Sequence, residues 1–139
     1  MVRVLFVEAS SGGVVGGSLT GLYHLIRGLD RTSIAAAIVL YEHKEIETEL
    51  RAMSVPVYHV SRRRLPKQHA LLQYDGYHRA KSVGAVRSVL GLGRQSLRVA
   101  IEELPTAIQL ARVIRRVGAD VVHLGNGVRA NFDGILACW

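Results

Sequence analysis

Apolar positions along the chain fall into two rhythms. Short, nearly continuous apolar runs, "VRVLFVE" (2–8), "SIAAAIVLY" (33–41), "VPVYHV" (55–60) and "ADVVHLG" (119–125), are the pattern of strands buried on both faces, as in a parallel sheet. Between them, apolar residues recur every three or four positions. In "GSLTGLYHLIRGLD" (17–30), Leu19, Leu22, Ile26 and Leu29 predict one buried helix face, with Ser18 placed to cap it. Ile46, Leu50 and Met53 predict a short helix. "EELPTAIQLARVIRRVG" (102–118) predicts a longer one through Leu104, Ile108, Ala111 and Ile114, stopped at Gly118. "RANFDGILACW" starts a further helix. Strand–helix–strand units with short connections imply right-handed crossovers. The predicted class is α/β, a Rossmann-like parallel sheet with helices on both faces.

Composition adds limits. A chain of 139 residues, 49% of them apolar, suits one domain with a real core. The longest apolar run, "IAAAIVLY", is too short to span a bilayer. The amino terminus reaches Glu8 before any secretory signal core develops, and the single Cys138 allows no internal disulfide. The expected location is the cytoplasm. The net charge of +7 is unevenly placed. Residues 61–100 carry nine Lys/Arg against the single acid Asp75, a net +8, which leaves −1 for the rest. Charge concentrated in this way points to an anionic partner.

The first strand leads into "VEASSGGVVGGS", with Gly12, Gly13, Gly16 and Gly17 just ahead of Ser18. Bare backbone at the carboxyl end of a strand lets a ligand come close, and the helix that follows offers free N–H groups to an anion. The loops after the first and fourth strands predict one shared crevice. Neither common nucleotide motif fits. G-x-G-x-x-G fails at Val15, and the P-loop pattern, with Gly12 and Gly17 in place, has Ser18 where its lysine belongs.

"VRVLFVEASSGGVVGGSLTGLYHLIRGLDRTSIAAAIVLY" resembles the opening of the family-4 glycosyltransferases, and "GADVVHLGNGVRANFDGILA" resembles that family's later strand and loop. The resemblance covers roughly 1–60 and 103–137 and is weakest across the basic block. It implies the incomplete amino-terminal, acceptor-side half of a GT-B fold, spanning 1–139 with a basic variable insert at about 61–100. It implies a nucleotide-sugar donor as substrate, a glycan or lipid-linked acceptor, retaining transfer, and no metal or other cofactor. The six histidines also show no close ligand spacing in sequence. In this resemblance Gly12, Gly13, Gly16, Gly17 and Ser18 approach the donor diphosphate, while His123, Asn126, Arg129 and Asn131 face the acceptor. Many relatives carry a second histidine where this chain has Gly125, so that residue's role does not carry over. No catalytic residue is assigned. The donor-binding domain is expected to be missing or to come from a partner chain, so that the chain alone transfers no sugar.

The basic block includes a candidate amphipathic segment, with Val83, Val86, Leu90, Leu97 and Ile101 at helical spacing and Arg87, Arg94 and Arg98 on another side. With Arg62, Arg63, Arg64 and Lys67 these residues suit the inner face of an anionic membrane. The plainer alternative is a helix packed on the sheet with its arginines in water. Nucleic acid is disfavoured as a partner because no recognisable module accompanies the charge. Two other functions stay open: a non-catalytic membrane-docking or scaffold module of the same fold, and a generic nucleotide-binding Rossmann-like domain.

Overall fold

In the computed structural model, which describes residues 1–9, 17–62, 96–127 and 131–139, the continuous apolar runs become a four-stranded parallel sheet. The strands are β1 (Val2–Glu8), β2 (Ile34–Leu40), β3 (Val57–His59) and β4 (Val121–Leu124), in the order β3-β2-β1-β4. β1 and β2 lie inside and pair along their whole length, from Val2 beside Ile34 to Glu8 beside Leu40. Both faces of these strands are covered, which is why their sequences need no polar alternation. β4 is an edge strand and alternates between exposed and half-buried positions.

The inward residues of the central strands divide by parity. Phe6, Ala36, Ile38, Leu40 and Val57 pack against α1 (Gly17–Arg27) and α2 (Glu47–Ala52), through Leu19, Leu22, Ile26 and Leu50. Leu5, Val7, Ala37, Val39 and Tyr41 point to the opposite face, where Leu110 of α3 (Leu104–Val117) closes the core and Ala137 of α4 (Phe132–Cys138) packs alongside. The first two crossovers run on one face towards β3, and the third returns on the other face to β4. The chain therefore reverses direction beside β1, which makes the β1/β4 boundary the topological switch point.

The predicted face of α1 is the buried one. The predicted face of α3 is not. Leu104 and Ile108 are 49% and 46% exposed, whereas Thr106, Ala107 and Leu110 are buried. The rotation has a local cause. A π-helical turn (Val99–Glu103) runs directly into α3 and carries Glu103 inward to an ion pair with Arg62. Anchored there, the helix presents 103, 106, 107, 110, 114 and 117 to the sheet, leaving Leu97, Ile101, Leu104 and Ile108 as an exposed apolar stripe.

Two turns set the ends of these elements. Gly118 stops α3 in the left-handed conformation (φ 62°), and its N–H and that of Ala119 return to the carbonyls of Arg115 and Ile114. Asp30 organises the turn between α1 and β2. One carboxylate oxygen accepts from the Thr32 N–H and hydroxyl (2.9 and 2.7 Å), the other from the Ser33 hydroxyl (2.7 Å). These bonds, the Ser33 hydroxyl foremost, hold the Asp30 carboxyl down at about 2. A depressed carboxyl stabilises the fold above its unfolded value, about 3.9, and the contribution disappears as pH falls through the folded value. Carboxyl-detected NMR should therefore find Asp30 titrating near 2. In urea unfolding, Asp30→Asn should flatten the loss of stability below about pH 4. An unshifted Asp30 titration would refute the turn's role.

Candidate functional site

At the switch point the carboxyl ends of β1 and β4 are tied together. The Gly125 N–H donates to the Val7 carbonyl (2.9 Å), and the Ala9 N–H donates to Asn126 Oδ1 (3.1 Å). Glu8, the last residue of β1, is buried, and Ser18 Oγ reaches its Oε1 at 3.5 Å from the first turn of α1. Ser18 thus lies inside the helix and turns towards β1. Gly125 has a steric reason: a Cβ there would stand 3.2 Å from Glu8 Oε2 and 3.3 Å from the Val7 carbonyl oxygen. Any side chain at this position would require the carboxylate or the Val7 carbonyl to give by a few tenths of an ångström, so the glycine relieves the contact with the buried acid. Gly17 differs, because a Cβ added there meets nothing within 4 Å among the described residues.

Asn131 stands at the amino-terminal boundary of α4, but its side chain does not cap the helix. Nδ2 turns back to the carbonyls of Asn126 and Gly127, while Oδ1 is buried without a hydrogen-bond partner among the described residues. Asn126 and Asn131 therefore build the loop after β4 and fasten it to β1. His123 is exposed on β4 and packs its ring on Phe6 at a centroid distance of 5.4 Å. Its side chain lies on the strand face opposite Leu124. Gly12, Gly13, Gly16 and Arg129 lie outside the described residues.

A second polar cluster sits at the carboxyl ends of β2 and β3, on the α3 face. Arg62 Nη2 donates to both oxygens of Glu103 (2.7 and 2.6 Å), and its Nε lies 3.7 Å from Asp133 Oδ2. Arg98 adds a bond to Glu103 (3.0 Å) and an ion pair with Glu102 (3.3 Å). Burial pushes the Asp133 carboxyl up, against the pull of Arg62, and pushes the neighbouring Tyr41 phenol well above its ordinary range, reinforced by the Asp133 charge. Burial alone would lower Arg62, but Asp133 and Glu103 more than reverse this and raise it. With Glu103 and Asp133 2% and 0% exposed, the cluster is a closed clamp and not an open site. Arg62, expected to face an anionic surface, is engaged with these buried acids, while Arg98 pairs with Glu102 and Glu103 from an exposed position. Arg63, Arg64, Lys67, Arg87 and Arg94 lie outside the described residues.

The third grouping is on the opposite face, beyond the ends of the same two strands. His43 Nδ1 and His59 Nε2 lie 3.3 and 3.1 Å from the two oxygens of Glu47. Sequence spacing predicted no metal ligands among the histidines, yet the β2–β3 pairing brings two of them to one carboxylate. The i, i+4 spacing of His43 and Glu47 was the legible part of this signal. Glu103 and Asp133 gave less warning, since a lone acid at the start of a helix reads as solvated.

Comparisons of the chain with protein-family models, with curated proteins and with solved structures each return no match.

The clamp carries a direct expectation. Arg62→Met leaves two buried carboxylates short of their cation and should lower the unfolding free energy by about 3 kcal/mol in urea titrations. Arg62→Lys should recover part of that loss. A loss under about 1 kcal/mol, the scale of an exposed pair, would return Arg62 to the surface role expected from sequence.

Proposed function

We propose that the crevice between the β1 and β4 loops binds the diphosphate of a nucleotide sugar against the start of α1, and a glycan or lipid-linked acceptor against the loop 125–131. In this reading the chain is the acceptor-side half of a retaining glycosyltransferase. In that reading it works together with a donor-binding domain. One observation carries the proposal. Gly17 opens α1 at the switch point without a left-handed backbone, and among the described residues no packing neighbour requires glycine there. A bare residue that the fold does not need is accounted for by close approach of something else. The buried Glu8 beneath it disfavours a phosphate pressed deep against β1 and suits sugar hydroxyls there, so the diphosphate stays at the helix start.

The test uses Gly17→Ala. Alanine at this first helical residue, where the backbone is not left-handed, should leave the fold unchanged. The amide NMR shifts that uridine or guanosine diphosphate induces in the parent chain at Gly17, Ser18 and Gly125–Asn131 should weaken severalfold. Absence of any such shifts in the parent chain would overturn the reading.

A second reading, a non-catalytic docking module, is favoured by the exposed stripe Leu97, Ile101, Leu104 and Ile108 beside the basic block. Among the described residues no helix is long and apolar enough to cross a membrane. Contact with an anionic surface would therefore be peripheral, with Arg63, Arg64, Lys67, Arg87 and Arg94 supplying the charge. Leu104→Ser with Ile108→Ser should then reduce sedimentation with anionic vesicles while the diphosphate response persists. Unchanged sedimentation would remove the stripe from consideration.

A further inference from the structure

We infer that His43, Glu47 and His59 form a three-ligand site for a zinc-type divalent cation at the carboxyl ends of β2 and β3. The residues come from three separate pieces of chain. His59 is the last residue of β3, held in register against Leu40 of β2. Glu47 opens α2, and His43 lies in the connection from β2 to α2. Their three ligand atoms lie within 4.8 Å of one another. Zinc bonds of about 2.0–2.1 Å in a tetrahedron require ligand atoms about 3.3 Å apart. Each histidine already stands at about that distance from one oxygen of the carboxylate, His43 Nδ1 at 3.3 Å from Oε1 and His59 Nε2 at 3.1 Å from Oε2. Gathering both nitrogens about a single oxygen requires the ligand atoms to close up from their present spread, and the His43 side chain, 87% exposed, has room to move inward.

The donor set selects the ion. Two imidazoles and one carboxylate suit zinc and its neighbours, whereas calcium and magnesium take oxygen ligands. The carboxylate is pre-positioned. Glu47 is only 13% exposed, its Oε1 accepts the Lys44 N–H at 2.9 Å, and Arg51 forms a long ion pair with Oε2 at 3.8 Å that a bound cation would have to displace. The two imidazole rings approach to a centroid distance of 4.2 Å, so a cation reaching one nitrogen is within reach of the other. Three protein ligands leave a fourth position on the solvent side for water, which zinc activates as a nucleophile or proton donor. The site is separated from the β1/β4 crevice by the width of β2 and does not depend on sugar transfer there.

The test is calorimetric titration of the full chain with zinc chloride in a non-coordinating buffer. Cys138→Ser serves as background, because the exposed thiol is a competing ligand. Cobalt(II) as a second probe should give the visible absorption of a tetrahedral ion. One equivalent should bind, and His43→Ala, which removes an exposed ring without touching the core, should weaken it at least tenfold. Glu47→Gln and His59→Ala should weaken it further, and the thermal midpoint of the parent chain should rise with zinc concentration. No binding at millimolar zinc would overturn the inference. So would one-to-one binding unaffected by His43→Ala and His59→Ala, which would assign the ion to other histidines.

Discussion

A guanidinium held between two buried carboxylates decides how the second half of this fold is arranged. Arg62 leaves β3 and meets Glu103 at the head of α3 and Asp133 at the head of α4. None of these groups could be buried alone, because a lone charge in the interior costs several kcal/mol. Together they fix the rotation of α3 and hold α4 where the β4 loop reaches it. Glu103 facing inward makes Thr106, Ala107 and Leu110 the buried side, and the exposed stripe from Leu97 to Ile108 follows from that. The side-chain amide of Gln109, exchanging two 3.3 Å hydrogen bonds with the Ser61 backbone, extends the same attachment along the helix.

On the opposite side of the sheet the constraint is steric. Glu8 ends β1 with its carboxylate against the backbone of Gly125, and no larger residue fits at that point without moving the acid or the Val7 carbonyl. The loops after β1 and β4 can therefore come close enough for Asn126 to reach the Ala9 N–H and for Asn131 to draw in the carbonyls of its own loop. The close approach of these two strand ends is a consequence of strand order, of one glycine and of one buried acid.

What the sequence made legible was the part governed by periodicity. All four strands, the inward face of α1, the stop at Gly118 and the parallel order follow from apolar spacing and turn residues. The face of α3 was not legible, since Leu104, Ile108, Ala111 and Ile114 have the same spacing as the true inward set. Only a charge pair 41 residues apart in sequence separates the two choices. Of the proposed site, the flanking strand ends were legible through the switch point that the parallel order implies, while Gly12, Gly13 and Gly16 lie outside the described residues. Asn126 and Asn131 announced themselves as polar loop residues, and their work of fastening that loop appears only in three dimensions. His59 joins His43 and Glu47 through strand pairing, which no local pattern encodes.

The charge asymmetry takes on a different meaning once these contacts are known. Arg62 and Arg98 stand near the two ends of the basic block, and both bind the same carboxylate, Glu103. The two described ends of the block thus meet at one point on the fold. The entropy of closing a loop grows only slowly with its length, so ends pinned in this way tolerate long and variable sequence between them. The acids that close the loop, Glu102, Glu103 and Asp133, come from outside the block and balance its ends. Two of the nine basic residues that the sequence assigns to an anionic partner are therefore taken up by acids of the fold itself.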